Sequence, residues 1–193
     1  MKLKRRMIVS AVALCAAALS GCVAVGSAPV GGPSSGPTVA GLREGQVVSV
    51  VDGDTAHILI DGTTEKVRFI GIDTPESTRE VEPYGEVASA YTHGLLDNRT
   101  VWVETDAELR DRYGRLLAYI WLEKPTAASE KEVRSKMLNA RLLLDGYAQV
   151  YTFPPNVRYA DAFVRCQREA RSSGAGLWSV PGAADPLTGP RSE

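Results

Sequence analysis

Cysteine and histidine are almost missing from this sequence. Of its three cysteines, Cys15 and Cys22 fall in the N-terminal segment and Cys166 stands alone, which excludes an internal disulfide framework. Cys166 recurs at helical spacing with Ala162, Phe163 and Ala170 and reads as a buried core thiol. The two histidines, His57 and His93, show no zinc-ligand spacing and no pairing on a helix, so both read as structural or surface residues. A surplus of positive charge is missing as well. Lys and Arg number 22 against 23 Asp and Glu, a formal net charge of −1, unlike a protein that coats nucleic acid. No internal repeat occurs. The apolar run Met7–Leu19 falls short of the roughly 20 residues that a membrane-spanning helix needs.

The N-terminus does carry a secretory pattern. Met1–Arg6 is basic, Met7–Leu19 is rich in alanine, and Leu19-Ser20-Gly21-Cys22 follows. Small residues directly before a cysteine resemble a bacterial lipobox, in which cleavage frees the cysteine for acylation. Residues 1–21 are therefore expected as a lipoprotein signal peptide with Cys22 as the lipidation site; a plain signal cut near Ala24 or Ala28 is the alternative. Two or more acyl chains anchor stably, at about 0.8 kcal/mol per buried CH₂. Val23–Gly41 is uncharged and rich in Gly, Pro, Ser, Ala and Val, so residues 22–43 read as a flexible tether. The expected location is extracytoplasmic, lipid-anchored to the cell membrane or secreted. Loss of Lys2, Lys4, Arg5 and Arg6 takes the formal charge from −1 to −5. A local site can still be positive on such a surface, and a bound cation adds to it.

The most informative stretch runs from Asp52 to Glu76. Asp52-Gly53-Asp54-Thr55 forms an acidic turn between two β-rich runs, Val47–Val51 and Ala56–Ile60. Asp61-Gly62 is a strong two-residue hairpin signal, and a third run, Glu65–Ile72, follows it. Such a meander returns the third run to the acidic turn. By the period of two, Val67 and Phe69 share one face and Arg68 takes the other. With the apolar pair in the core, Arg68 faces the acidic turn. Pro75 lacks an N–H and stops the ladder, leaving Asp73, Thr74 and Glu76 on a loop. Carboxylates that gather a hard cation beside a guanidinium suit chemistry on a phosphate. The spacing is not that of an EF-hand, whose further acidic positions and late Glu are missing.

Downstream, Glu86–Leu96 reads as a helix with the apolar stripe Val87, Tyr91 and Leu95. Thr100–Thr105 is a fourth strand. Asp111–Arg115 is a turn into a fifth strand, Leu116–Trp121. Glu123–Lys136 reads as a mobile loop or a short solvated helix. Met137–Asp145 is a helix ended by Gly146, Tyr151–Asn156 a loop, and Tyr159–Ser172 an amphipathic helix stopped near Gly174. Trp102, Trp121 and Trp178 are assigned to packing. Arg158, Arg165, Arg168 and Arg171 read as a solvated helix face. Residues 180–193 read as a loose tail. Five short strands and three helices suit an α+β, mainly β fold: an OB-type five-stranded barrel occupying residues 44–179.

The pieces V-V-D-G-D-T, R-F-I-G-I-D-T-P-E, Y-G-E-V-A-S-A-Y-T, D-R-Y-G-R-L-L-A-Y-I and G-L-W-S occur in this order between about Glu44 and Ser179. Together they resemble the staphylococcal nuclease (thermonuclease) family, whose fold is an OB barrel with three helices. The resemblance implies that Asp54 and Asp73 are calcium carboxylates and that Thr74 offers its backbone carbonyl to the ion. It implies Arg68, Glu76 and Arg115 as the catalytic set. Arg112 and Tyr113 match residues that hold a terminal phosphate, and Tyr151 one that packs on a nucleotide base. Asp52 is expected to support the metal site without ligating it. The implied activity is calcium-dependent endonucleolytic hydrolysis of DNA and RNA, single-stranded or loosened, to 3′-phosphate products. No protein partner is implied, and a monomer is expected.

The chemistry of each residue agrees with its implied role. Calcium accepts irregular oxygen coordination with waters. Arginine forks bind phosphate oxygens in pairs and stay charged, which suits a phosphoryl transition state. Glu76 can orient or deprotonate the attacking water. Two features depart from the family pattern: Glu123–Lys136 is longer than a short turn, and the chain is acidic. The alternatives are a non-catalytic nucleic-acid-binding module and a structural envelope lipoprotein.

Overall fold

The computed structural model describes residues 41–77 and 82–180; the expected signal peptide, Cys22, the tether up to residue 40 and the tail from 181 lie outside the described residues. Five strands close a barrel in the order β1-β2-β3-β6-β5, formed by β1 (Arg43–Asp52), β2 (Thr55–Ile60), β3 (Thr63–Phe69), β5 (Thr100–Glu104) and β6 (Leu116–Trp121). Two short strands, β4 (Gly71–Asp73) and β7 (Gln149–Tyr151), pair separately. Four α-helices are described: α1 (Gly85–Leu96), α2 (Glu130–Lys136), α3 (Leu138–Leu144) and α4 (Ala160–Ser173). The architecture is the expected OB-type barrel, with α2 added to the three expected helices.

The first hairpins follow from their residues. Asp61 and Gly62 take the positive φ values, 49° and 81°, that a two-residue turn matching the strand twist needs, and Ile60 pairs Thr63 across it. In β1, Val47 pairs Ile58 and Ser49 pairs His57, so Val48 is the extra residue of a bulge. The bulge interrupts the inside–outside alternation and leaves Val48 exposed. Val47, Ile58, Val67, Phe69, Val101, Val103, Ala118 and Ile120 are all buried within the barrel. At about 1.5–3 kcal/mol for each large apolar side chain buried, this interior outweighs the surface ion pairs as the source of stability.

The third run is not one strand. It breaks at Ile70-Gly71, because Gly71 has φ +80° and a Cβ there would lie 2.6 Å from the Phe163 ring. Asn139 of α3 fills the break: its Nδ2 donates to the Ile70 carbonyl (2.9 Å), and its Oδ1 accepts the Ile120 N–H (3.0 Å). The chain leaves the barrel there, and β4 pairs with β7 instead of continuing β3. Asp73 therefore ends a strand, and so does Tyr151; both were expected on loops. A three-residue strand such as β7 carries too little pattern to announce itself.

Helix α1 is rotated by about one residue from the expected stripe. Gly85, Ala88, Thr92 and Leu96 are the buried positions; of the expected stripe, Tyr91 and Leu95 are half-buried against the core and Val87 is exposed. The small Ala88 permits close approach, and Thr92 Oγ1 donates to the Gly53 carbonyl at 2.8 Å. Tyr91 instead stacks on Tyr147, ring centroids 3.9 Å apart. Helix α2 starts at Ser129, whose hydroxyl accepts the Glu132 N–H, and it buries Val133. The Leu122 N–H donates to the Lys136 carbonyl (2.7 Å), so this longer segment folds back over the end of β6. Arg158 precedes α4 and does not share its solvated face. It pairs with Glu104, which is buried and also accepts from Trp121 Nε1 (2.7 Å) and from the Tyr159 hydroxyl. Cys166 is buried on α4, as its spacing implies.

Candidate functional site

The meander brings the acidic turn and Arg68 together. Thr55 is the cross-strand partner of Arg68, so Arg68 stands beside the residue that follows Asp54. Val67 and Phe69 point into the barrel and are buried, which turns Arg68 outward. Its Nη1 meets Asp54 Oδ2 at 2.9 Å and also donates to the carbonyls of Phe69 (3.1 Å) and Ile72 (2.9 Å). Its Nη2 donates to Asp73 Oδ1 at 2.9 Å. One guanidinium thus spans both carboxylates that were expected together. Thr74 joins them, its N–H donating to Asp54 Oδ2 at 3.1 Å. Asp54 Oδ1 accepts the Thr55 hydroxyl at 3.0 Å. Four of the expected residues, Asp54, Arg68, Asp73 and Thr74, therefore form one connected group.

Asp52 sits at the edge of this group, its Oδ1 accepting the Asp54 N–H at 3.1 Å. Burial, and then the negative charge of Asp54, push the Asp52 carboxyl up to about 7.

A second group forms on the turn before β6. Asp111 organises it: Oδ1 accepts the N–H groups of Tyr113 (3.0 Å) and Arg115 (2.9 Å), and Oδ2 accepts Arg115 Nε at 2.6 Å. Arg112 Nη2 donates to the Tyr113 hydroxyl at 2.6 Å, and the guanidiniums of Arg112 and Arg115 lie 4.8 and 5.4 Å from the Tyr113 ring centre. Arg110 braces the turn, forking onto Glu65 of β3 (2.7 and 2.9 Å) and donating to the Gly114 carbonyl. The parallel β3–β6 register sets Leu117 beside Arg68. Arg115 immediately precedes β6, on the turn that Asp111 organises.

Glu76 lies beyond Asp73 and Pro75 on the exit of β4. Its Oε1 accepts the Ser77 N–H at 3.1 Å, while its own N–H donates to Glu82 Oε2 at 2.9 Å. Tyr151, exposed at the end of β7, pairs with Gly71, and Gln149 pairs with Asp73. Strand β7 thereby sets Tyr151 beside the segment that carries Asp73.

The family described as staphylococcal nuclease homologue matches residues 66–180. The chain belongs to that family. The thermonuclease of Staphylococcus intermedius is 39% identical over 135 residues, covering 68% of this chain and 74% of that protein. The thermonuclease of Staphylococcus hyicus is 36% identical over 149 residues, covering 76% of this chain and 82% of that protein. Endonuclease YncB of Bacillus subtilis (strain 168) is 35% identical over 137 residues, covering 68% of this chain and 60% of that protein.

In this staphylococcal nuclease homologue the donor set fits a hard cation. Asp54, Asp73 and the Thr74 backbone offer oxygen alone, with no soft ligand. Among the described residues no three His, Cys, Asp or Glu side chains converge, so an ion here would draw much of its coordination from water or substrate. Several residues escaped the sequence reading. Glu82, Asp111 and Gln149 touch or flank the named residues, yet a lone Glu, Asp or Gln in a polar loop carries no signal. The one signal that could have found Asp111 is its D-x-x-x-R spacing to Arg115.

Proposed function

We propose that this chain is a calcium-dependent phosphodiesterase that cleaves DNA and RNA outside the cytoplasm, anchored through a lipid on Cys22. One observation carries the proposal: Arg68 lies between Asp54 and Asp73, a permanent cation against two hard anionic ligands. The relatives named thermonuclease and endonuclease support the same chemistry. Asp54, Asp73 and the Thr74 carbonyl would hold calcium, which supplies positive charge beside a phosphate and open positions for water.

Arg68 and Arg115 stabilise the negative charge that builds on the phosphoryl oxygens. Glu76 orients or deprotonates the attacking water. The bond from phosphorus to the 5′ oxygen breaks, so the products carry 3′-phosphates. Arg112 and Tyr113 hold a terminal phosphate, and Tyr151 packs on a base. Single-stranded or loosened duplex suits this arrangement, because a base must leave its stack to reach Tyr151.

The test is a nuclease assay on the purified protein with calcium, magnesium or a chelator, repeated with Glu76→Gln. Calcium is expected to support turnover and magnesium largely not to, since an open two-carboxylate site suits the larger, more flexible ion. Glu76→Gln is expected to lower kcat by about 10²–10³. Equal rates with the two metals would refute the site assignment. Nucleic-acid binding without cleavage would identify a binding module, and neither activity an envelope protein.

A further inference from the structure

We propose that Glu82 is a positioning residue for Glu76, and that the turn joining it to α1 fixes where the Glu76 carboxylate can act. The inference rests on the assignment of Glu76 to the attacking water. Glu82 grips the Glu76 peptide from both sides. Its Oε2 accepts the Glu76 N–H at 2.9 Å, and its own N–H donates to the Glu76 carbonyl at 2.9 Å. Pro75 has no N–H to offer, so after the Thr74 N–H, which is held by Asp54, the Glu76 amide is the next donor on this exit from β4. A carboxylate acceptor on a backbone N–H makes a charge-assisted bond, about twice as strong as a neutral one.

The grip is anchored in turn. The Glu82 carbonyl accepts the Gly85 N–H at 2.9 Å, which closes a tight turn into α1. Tyr84 within that turn has φ 75°, a left-handed conformation that costs a non-glycine residue about 1–2 kcal/mol. Its ring stacks on Tyr147, centroids 5.7 Å apart, and Tyr147 stacks on Tyr91 of α1. The column holds the strained turn against the segment that leads into β7. Gly85 comes so close that a Cβ there would lie 2.2 Å from the Glu76 carbonyl oxygen. Glu76 is therefore clamped between β4 on one side and the start of α1 on the other.

None of this brings Glu82 to the reacting phosphate, so its effect must pass through Glu76. The experiment compares Glu82→Ala and Glu82→Gln, each alone and combined with Glu76→Gln, at saturating calcium. The readouts are kcat, KM and the thermal midpoint. Glu82→Ala is expected to lower kcat by about 10–100-fold with KM changed less than about threefold, because misplacing a reacting group by 1 Å can cost about 10²-fold. Glu82→Gln keeps an acceptor oxygen at the same reach and is expected to recover most of that kcat. In the Glu76→Gln background, Glu82→Ala is expected to lower kcat no further, since the group it positions is already disabled.

Wild-type kcat in Glu82→Ala, with Glu76→Gln impaired, overturns the positioning role alone. An undiminished loss in the Glu76→Gln background overturns it too, and so do equal kcat losses in Glu82→Gln and Glu82→Ala with collapsed midpoints. Wild-type turnover in Glu76→Gln overturns the assignment of Glu76 and this inference with it.

Discussion

Arg68→Ala separates the catalytic use of this arginine from its structural use. The Arg68 side chain is 12% exposed and that of Asp54 only 8%. Truncation leaves Asp54 with the Thr55 hydroxyl and the Thr74 N–H but takes away its neighbouring counter-charge. Orphaning a buried ion-pair partner costs about 3–5 kcal/mol. The Asp73 pair adds little, because that carboxylate is 40% exposed and an exposed pair contributes about 0–1 kcal/mol. The expected loss of stability is thus about 3–5 kcal/mol, which lowers the thermal midpoint by about 10–20 °C. Arg115→Ala breaks a pair with Asp111 inside a turn and is expected to cost about 1–2 kcal/mol. Both variants should lose about 10²–10⁵ in kcat. Urea unfolding in a chelator measures the stability term without divalent ions. If the cost arises from an orphaned charge, Arg68→Ala/Asp54→Asn should be more stable than Arg68→Ala. A double variant as unstable as the single one, or an Arg68→Ala midpoint equal to wild type, refutes the reasoning.

Three further outcomes are expected. Gly71→Ala combines a positive φ with a Cβ 2.6 Å from the Phe163 ring and should destabilise by about 2–4 kcal/mol in urea titration; a loss under 1 kcal/mol would show that α4 yields easily. Burial, followed by the charges of Asp106 and Glu104, pushes the Tyr119 and Tyr159 hydroxyls above the ordinary value of 10.0. Their contribution to stability is therefore intact below pH 10 and is lost as the unfolded chain ionises above it, and joint replacement of both by Phe should flatten the alkaline fall in unfolding free energy. Cys22→Ala should move the protein from the membrane fraction to the soluble fraction without lowering specific activity; retention on membranes after a high-salt wash counts against the lipid anchor.

The expected site and the observed one differ in a consistent way. Asp54, Arg68 and Asp73 were legible because a hairpin signal and a period of two fix, over a few residues, which side chains return to the same turn. Asp111 bonding Arg115 is equally local but was not read, because a charged turn gives no sign of which of its residues pair. Gln149 and Arg158 were not legible, since their partners Asp73 and Glu104 are chosen by contacts that no short window contains; Glu82 lies only six residues from Glu76, but a lone Glu in a polar loop carries no signal. The stripe on α1 failed at Val87 for the same reason: Val87 is as apolar as a core residue, but the packing of Thr92 on Gly53 and of Tyr91 on Tyr147 turns it outward.

The sequence by itself determined the Asp61-Gly62 turn, the inward Val67 and Phe69, the buried Cys166 stripe of α4 and the mainly β class. Each of these rests on backbone preference or side-chain periodicity between near neighbours. The tertiary structure alone decided that the third run breaks at Gly71, that β4 pairs with β7 and that Val48 bulges out of β1. It alone placed Arg158 on the buried Glu104. Those outcomes depend on which segments distant in sequence must share space: the Phe163 ring against Gly71, Asn139 against the Ile70 carbonyl, and five strands that have to close on one another. A residue's neighbours in the chain set its conformational options, and the closing of the barrel selects among them.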